Sequence, residues 1–504
     1  KPLKNHRLQG NKARPQAVIL GNMKSLKALF FTILAMLAVT SCIEDSVSTS
    51  ASDQPQFSLD TLDLGCFFSD QPTPTFISVD YLAEEGSVVY NRNKKVINID
   101  RIGLRDNDDR TFRINVDGTA GESFSNIEIR PNDSIYVFVE ATVARGNGRD
   151  SISAQCYVDF LTSGVTRSVV LKATGRDIDV RRGLIVERDT TFRAGRPMQV
   201  FDSLVVAQGA TLTIEPGAEL FFHDKATMIV RGRLMSLGSA EAPVVMGGDR
   251  LDNVVGDIPF DLMASQWGGV EFKRTSAGSR LSHTVIKNMT VGVLADSVPA
   301  APDGSPGLEI INCRVRNSAR YALNSYFSNI RIVGSEISDA AVAPLFLTGG
   351  QIDMAHVTVA NYYLFAAPAL PSVWMNHYNE DTRVEDSSEP LMTAKMTNCI
   401  FYGLGSDFSG TDLTGSAVTV RRCLFKSEGS DDDNFLECLW GLDPLYLTVR
   451  EEYIFDYRLA PDSPAAEAGD PSLTPADAAR DFYGIARSTA APSLGAFQFV
   501  APSD

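Results

Sequence analysis

Apolar and polar positions repeat along the C-terminal half of the chain. Five ten-residue segments fall into one register: 308–317, 330–339, 352–361, 394–403 and 418–427. A sixth, 279–288, fits less closely. Each reads apolar, x, apolar, x, x, small or apolar, x, apolar, x, then a turn residue. The sixth position carries Thr284, Cys313, Ser335, Val357, Cys399 and Cys423. The last carries Asn288, Asn317, Asp339 and Asn361 in the first four segments. Successive starts are 29, 22, 22, 42 and 24 residues apart. Alternation over a few residues predicts a short half-buried strand. Strands recurring every 22 residues or so predict the coils of a parallel β-helix, in which no coil buries its apolar face alone. The turn-position Asn and Asp residues tolerate a left-handed bend, and they are expected to bond along the stack as an internal ladder. The cysteines of the sixth position read as small inward fillers.

The preceding stretch, 57–179, alternates differently. Val96 to Ile102, Phe112 to Val116, Ser134 to Glu140 and Arg167 to Lys172 are period-two runs. Turn signals such as Asp117-Gly118, Pro131-Asn132-Asp133 and Gly146-Asn147-Gly148 punctuate them. That pattern predicts a β-sandwich. From Phe112 to Val143 it resembles the immunoglobulin-like module at the N-terminus of Bacteroidetes surface proteins. The expected job of such a module is a spacer. The expected fold class is therefore all-β: a sandwich at 57–179, a right-handed parallel β-helix at 184–460 and a segment at 461–504 that caps the open end of the stack. The opening run Thr211-Leu212-Thr213-Ile214-Glu215-Pro216-Gly217 and the closing run Tyr457 to Ala465 resemble those of secreted β-helix proteins. Over 184–499 the resemblance is to the right-handed β-helix lipoproteins of Bacteroidetes.

The N-terminus adds an address. Met23 to Lys27 is short and basic, Ala28 to Val39 is apolar, and Thr40-Ser41-Cys42 follows. This reads as a secretory leader, with an apolar core too short to span a bilayer. Val39-Thr40-Ser41-Cys42 resembles a lipobox, which implies lipidation of Cys42 and anchorage to the outer membrane. Residues 1–22 read as an upstream extension. Ile43-Glu44-Asp45 resembles the surface-export signal of Bacteroidetes lipoproteins and equally suits an acidic tether; 43–56 reads as flexible. The seven basic residues before Cys42 have no acidic counterpart, so removing them takes the net charge from −16 to −23. Such a charge argues against nucleic acid and against an anionic membrane surface as partners. Cys66, Cys156, Cys313, Cys399, Cys423 and Cys438 show no CxxC or Cys/His metal spacing, and export permits but does not demand disulfides.

Candidate chemistry gathers where the register breaks. The 42-residue step is one coil plus an insertion, read as Tyr362 to Pro390. It carries Tyr362, Tyr363, Phe365, Trp374, His377 and Tyr378, then Glu380, Asp381, Arg383, Glu385 and Asp386. Loops extruded from a solenoid are where function is placed. Aromatic faces stack on sugar rings while carboxylates and Arg fix hydroxyls, so Tyr362, Tyr363, Trp374, His377, Tyr378, Glu380, Asp381 and Arg383 are candidate ligand contacts. The same aromatics would equally suit a cover for the side of the stack. Two acidic stretches, Asp249/Asp252/Asp257/Asp261 and Asp431-Asp432-Asp433, offer oxygens for Ca²⁺ without an EF-type loop and equally read as solvated charge. No catalytic residue is named: His223, His283, His356 and His377 lie in no recognised motif, and no polygalacturonase-like set is present. Three functions stay open: binding of a glycan or other extracellular polymer without catalysis, a polysaccharide lyase or glycoside hydrolase, and a structural envelope component.

Overall fold

A computed structural model describes residues 46–501, apart from 74–87, 147–150, 252, 256–257, 378–391, 411–412 and 414. Cys42 and the leader lie outside the described residues, as do Tyr378, Glu380, Asp381 and Arg383.

The chain is all-β. Its N-terminal part is a sandwich of two five-stranded sheets. One contains Val88–Asn91, Asp133–Ala141 and Phe112–Val116; the other contains Thr61–Phe68, Val165–Arg176, Ser151–Thr162 and Ile97–Arg105. Alternation explains the layers: Phe112, Ile114 and Val116 point inward onto Ile97, Ile99, Val137, Val158 and Phe160. Asp117 and Gly118 both take positive φ and close the hairpin to Thr119–Gly121, as the sequence signals. Ser151–Thr162 alternates as well, burying Cys156, Val158 and Phe160.

Thereafter, apart from the antiparallel pair of Asn253–Val255 with Ile258–Pro259, the strands are parallel and wind into a β-helix with three strands per coil. The first face is a ten-stranded sheet that includes Ser279–Ser282, Leu308–Ile311, Asn329–Val333, Gln351–Ala355, Thr393–Thr397 and Ala417–Arg421. The second face includes Thr284–Met289, Arg314–Ser318, Glu336–Ala340, Thr358–Asn361 and Ile400–Gly403. The third includes Gly269–Phe272, Val293–Asp296, Tyr321–Tyr326, Ala343–Thr348, Val373–Asn376 and Phe408–Gly410. The second and third faces join through the long first strand, Met198–Val206, which pairs with strands of both. The stack opens with Asp179–Val186 against Met198–Val206.

The repeat register holds to the residue. Ser279, Leu308, Ile330, Ile352, Ala394 and Val418 are successive Cα partners. The whole sixth-position column, from Thr284 to Cys423, is fully buried. It does more than fill space. The residue before each member takes a left-handed bend: His283, Asn312, Gly334, His356, Asn398 and Arg422 all have φ between 42° and 59°. That bend turns the chain from the first face to the second. At Gly334 a Cβ would lie 2.1 Å from Asn312 Oδ1, so here, unlike at the other corners, the close approach of that amide favours glycine. The sixth-position side chain then donates to the carbonyl two residues back: Thr284 to Ser282 O at 3.0 Å, Cys313 to Ile311 O at 3.3 Å, Ser335 to Val333 O at 2.8 Å, Cys399 to Thr397 O at 3.2 Å and Cys423 to Arg421 O at 3.4 Å. Thiol and hydroxyl act here as one kind of corner bond. Cys438, unplaced by the sequence, extends the column one coil further, since Arg421 pairs with Leu436.

Two expectations need correction. The Asn/Asp column does not form an internal ladder. Asn288, Asn317 and Asp339 take positive φ at the corner between the second and third faces, but Asn361 is not among the left-handed residues. Asn288 and Asn317 donate to Asp261 O of a neighbouring loop, at 2.6 and 3.2 Å, and Asp339 accepts from Tyr457 OH. Only the later two bond along the stack: Asp339 accepts from Tyr362 N of the next coil at 3.0 Å, and Asn361 donates back to Ala340 O at 2.9 Å. These side chains anchor excursions instead, because the corner leaves them facing outward. The C-terminal segment, in turn, lies along the second face, not over the open end. Its Phe482, Ala496 and Phe497 pack on Ala360 with Tyr457, and its Ala465 and Leu494 pack on Ile400 and Leu424. The second face demands this cover: its outward column ends in Thr358, Ile400 and Leu424, and Ala360 sits beside them, all too apolar or too confined to face water.

Candidate functional site

The register break is two excursions flanking a strand, not a single insertion. Val373-Trp374-Met375-Asn376 alternates in the pattern of the other coils and pairs with Leu345-Phe346-Leu347-Thr348. The coil's third strand therefore lies within the stretch read as a loop. Its short length and its polar flanks hid it. This splits the aromatic candidates between two places.

Tyr362 and Tyr363 follow Asn361 at the corner between the second and third faces. Tyr362 is half-buried, its ring 5.9 Å from that of Tyr457 and 6.3 Å from that of Tyr446. Burial pushes its phenol well above the ordinary range, with Tyr402 and Asp443 adding to the rise. Tyr363 is buried, and Phe365 stands exposed edge-on to it. Here the aromatics do cover the stack, and Tyr362 is a packing residue.

Beside them is a shallow cleft of about 320 Å³, its open mouth included, lined by Asp261, Arg316, Asn317, Asp339, Tyr363 and Phe455 among others. Its two carboxylates differ. Asp261 is paired with Lys287 and lies 3.6 Å from Arg316. Asp339 is buried, and desolvation raises its pKa to about 6 against the bonds from Tyr457 OH and Tyr362 N.

Trp374 sits on the third face. Val373 and Met375 point into the core, so Trp374 points out, opposite Phe346 on the previous coil. The Phe346 ring is 4.7 Å from that of Tyr321, and Phe346 is Cα partner to Asn324 one coil before. The outward column therefore reads Leu294, Asn324, Phe346, Trp374, Ser409. Phe346 is buried, whereas Tyr321 and Trp374 keep part of their rings exposed. Asn324 is buried, and its Oδ1 has no hydrogen-bond partner among the described residues. His377 is buried at the end of the Trp374 strand. Parallel strands rise about 4.8 Å per coil, so the strands of Tyr321 and Trp374, two coils apart, are separated by about 10 Å.

The remaining candidates resolve into structural roles. His356 occupies the left-handed corner, fully buried. Its Nδ1 lies 3.1 Å from Ser493 O, while Nε2 lies 2.8 Å from Thr474 Oγ1 and 3.1 Å from Asn398 Nδ2. Burial, with the Arg487 charge nearby, holds its pKa well below the usual value, so it clamps the C-terminal segment as a neutral ring. His283 stacks on Phe482 at 6.1 Å, and burial lowers its pKa as well. His223 pairs with Asp249 at 2.7 Å, and Asp249 also accepts from Gln199 Nε2. Asp252 and Asp257 lie outside the described residues. Asp431 accepts from Glu437 N, Cys438 N and Trp440 Nε1, and Asp432 from Asn434 N and Phe435 N. Among the described residues no three His, Cys, Asp or Glu side chains are grouped to hold a metal. Each free thiol with a resolved shift, among them Cys313 at about 12, is pushed up by burial.

The sequence signal for Trp374 was its place in the register break. Tyr321, Asn324 and Phe346 gave no such signal, because they belong to coils of ordinary length. No protein-family model matches the chain, and no curated protein matches it in sequence.

Proposed function

We propose that this protein is a lipid-anchored surface protein whose β-helix binds an extracellular glycan without catalysis, on its third face. One observation carries the reading: Phe346 and Trp374 succeed each other in the outward column of the third face, and the Tyr321 ring packs beside Phe346. Flat C–H faces of sugar rings pack on aromatic faces. A solenoid offers such groups at a fixed spacing along its axis, which suits a polymer. Anchorage rests on the leader and the lipobox-like Val39-Thr40-Ser41-Cys42.

The test is a glycan array probed with the chain that begins after Cys42, followed by product analysis on any glycan bound. Retention without cleavage, reduced at least tenfold by Trp374→Ala, is the expected result. No retention over a broad panel sinks it. The anchor is tested separately by metabolic labelling with a fatty-acid analogue, which Cys42→Ala should abolish. A second reading, glycoside hydrolysis, draws on the cleft that brings the carboxylates of Asp261 and Asp339 to one lining, since such a hydrolysis uses a pair of carboxylates. Cleavage products that vanish in Asp261→Asn would decide for it.

A further inference from the structure

We infer that two copies of this chain associate edge to edge, through the hairpin that residues 445–449 form with 454–460. The inference is independent of the glycan reading. The hairpin lies against the second face. Tyr446 and Tyr457 point inward, their rings 5.2 Å apart and 6.3 and 5.9 Å from that of Tyr362. The side chains that alternate with them face water. Leu445, Leu447, Val449 and Ile454 stand there, each 39–45 % exposed.

The backbone says what covers this hairpin. Leu447 N donates to Arg458 O, Val449 and Ile454 exchange both of their bonds, and Ala460 N donates to Leu445 O. Residues 445, 447 and 449 thus turn their main-chain groups into the hairpin. Tyr446 and Thr448 turn theirs to the other edge, where neither N–H nor C=O has a hydrogen-bond partner among the described residues. Proteins blunt such edges with charge, with proline or with a covering loop. The last rung of the β-helix is treated that way: Asp432 N donates to Phe435 O, Asp432 Oδ1 accepts from Phe435 N, and Asp431 accepts from Glu437 N. From 445 to 449 the chain carries neither charge nor proline, and its side chains alternate as in a strand made for pairing.

A second copy fits this edge by symmetry. In an antiparallel pair, opposite residues on the facing edges exchange both bonds. Setting Tyr446 of each copy against Thr448 of the other uses every free group of both edges. The two-fold axis then passes between the two Leu447 residues, and Leu445 of each copy meets Val449 of the other. The neighbouring registers do worse. Centring on Tyr446 sets Thr448 opposite Pro444, which has no N–H. Centring on Thr448 sets Tyr446 opposite Arg450, whose carbonyl already accepts from Tyr453 N. In the favoured register the apolar side chains of both copies also meet in cross-strand pairs on one surface, which adds to the backbone bonds. The contact is isologous and consumes the edge of each copy, so it closes at a dimer.

The experiment is analytical sedimentation of the chain that begins after Cys42 over a range of concentrations, joined to cysteine cross-linking. The parent should show a reversible equilibrium between monomer and dimer. Leu447→Lys sets two ammonium groups against each other across the axis. It should weaken the dimer at least tenfold, with a melting curve close to the parent's. Leu447→Cys should form an intermolecular disulfide under air with copper phenanthroline, since the Cα atoms of such an opposite pair lie about 4.5 Å apart. Leu445→Cys should not, because it faces residue 449 of the other copy. The parent, with Cys66 and Cys438 partly exposed, sets the background. A monomer at every concentration overturns the inference. So does a dimer that survives Leu447→Lys, or cross-linking at 445 as efficient as at 447.

Discussion

Single residues in this protein are read best through the corner they occupy. Asp339 shows it. It stands in a column otherwise filled by Asn288, Asn317 and Asn361, and an amide would meet its corner without a charge. Burial raises its pKa from 3.8 to about 6. The folded chain therefore holds this proton more tightly than the unfolded chain. Stability from this group falls as pH rises between those two values and is lowest above both. A shift of this size corresponds to at most roughly 3 kcal/mol. Asp339→Asn should therefore stabilise the protein near neutral pH, with an advantage that shrinks on acidification. Urea unfolding of both forms near pH 7 and pH 4.5 measures it, and an advantage that grows in acid refutes it. The corner thiols make a second case. Cys423 donates to Arg421 O and accepts from Cys399 N at 3.3 Å. Ser335 does the same with oxygen, donating to Val333 O and accepting from Cys313 N. Cys423→Ser should thus be tolerated better than Cys423→Ala by about 1 kcal/mol, the worth of a buried hydrogen bond. Equal losses in denaturant titration would mean that only packing matters there.

Among elements, the C-terminal segment and the second face depend on each other. Ion pairs on the β-helix are not of equal weight. Lys273 with Glu271 is partly exposed and contributes at most about 1 kcal/mol. Glu336 is fully buried and bonded by Arg314 at 2.7 Å, so removing Arg314 leaves a carboxylate buried without its cation. Arg314→Ala should cost about 3–5 kcal/mol in equilibrium unfolding; a loss below 1 kcal/mol would show that water reaches Glu336. Arg331 grips Asp477 of the segment with both Nη atoms, at 2.5 and 2.8 Å. Arg331→Ala should loosen the segment while the coils stay intact, which limited proteolysis reads as earlier cleavage between 461 and 499. Unchanged cleavage would show that apolar contacts alone hold it. The repeat and the cysteines of its sixth position were legible in the sequence because each obeys a local period. The course of the segment was not, because its contacts with Ala360, Ile400 and Leu424 depend on which way the chain turns after its last coil.

At the scale of the molecule, the sandwich and the β-helix meet through a small mixed junction. Phe68 and Ile178 pack on Phe221, the Phe68 and Phe221 rings lie 5.2 Å apart, and Arg176 pairs with Glu219 beside them. Gln71 donates to Gln199 across the same boundary. A junction this small couples two units only weakly. Phe221→Ala should leave both folded and separate their unfolding into two calorimetric transitions, whereas a single unchanged transition would mean that contacts other than those of Phe221 unite them.

The sequence by itself determined the fold class, the coil register to the residue and the buried column from Thr284 to Cys423, because stacked coils force inward positions to recur in phase. It also marked the break that holds Trp374. Only the tertiary structure decided that the break encloses a strand, that Tyr362 and Trp374 part to different sides of a corner, and that Asn324 and Phe346 line up with Trp374 while the Tyr321 ring packs beside Phe346. The reason is that outward positions face no recurring partner. What covers them, and what they meet, depends on how distant segments fold back, and a local period carries no record of that.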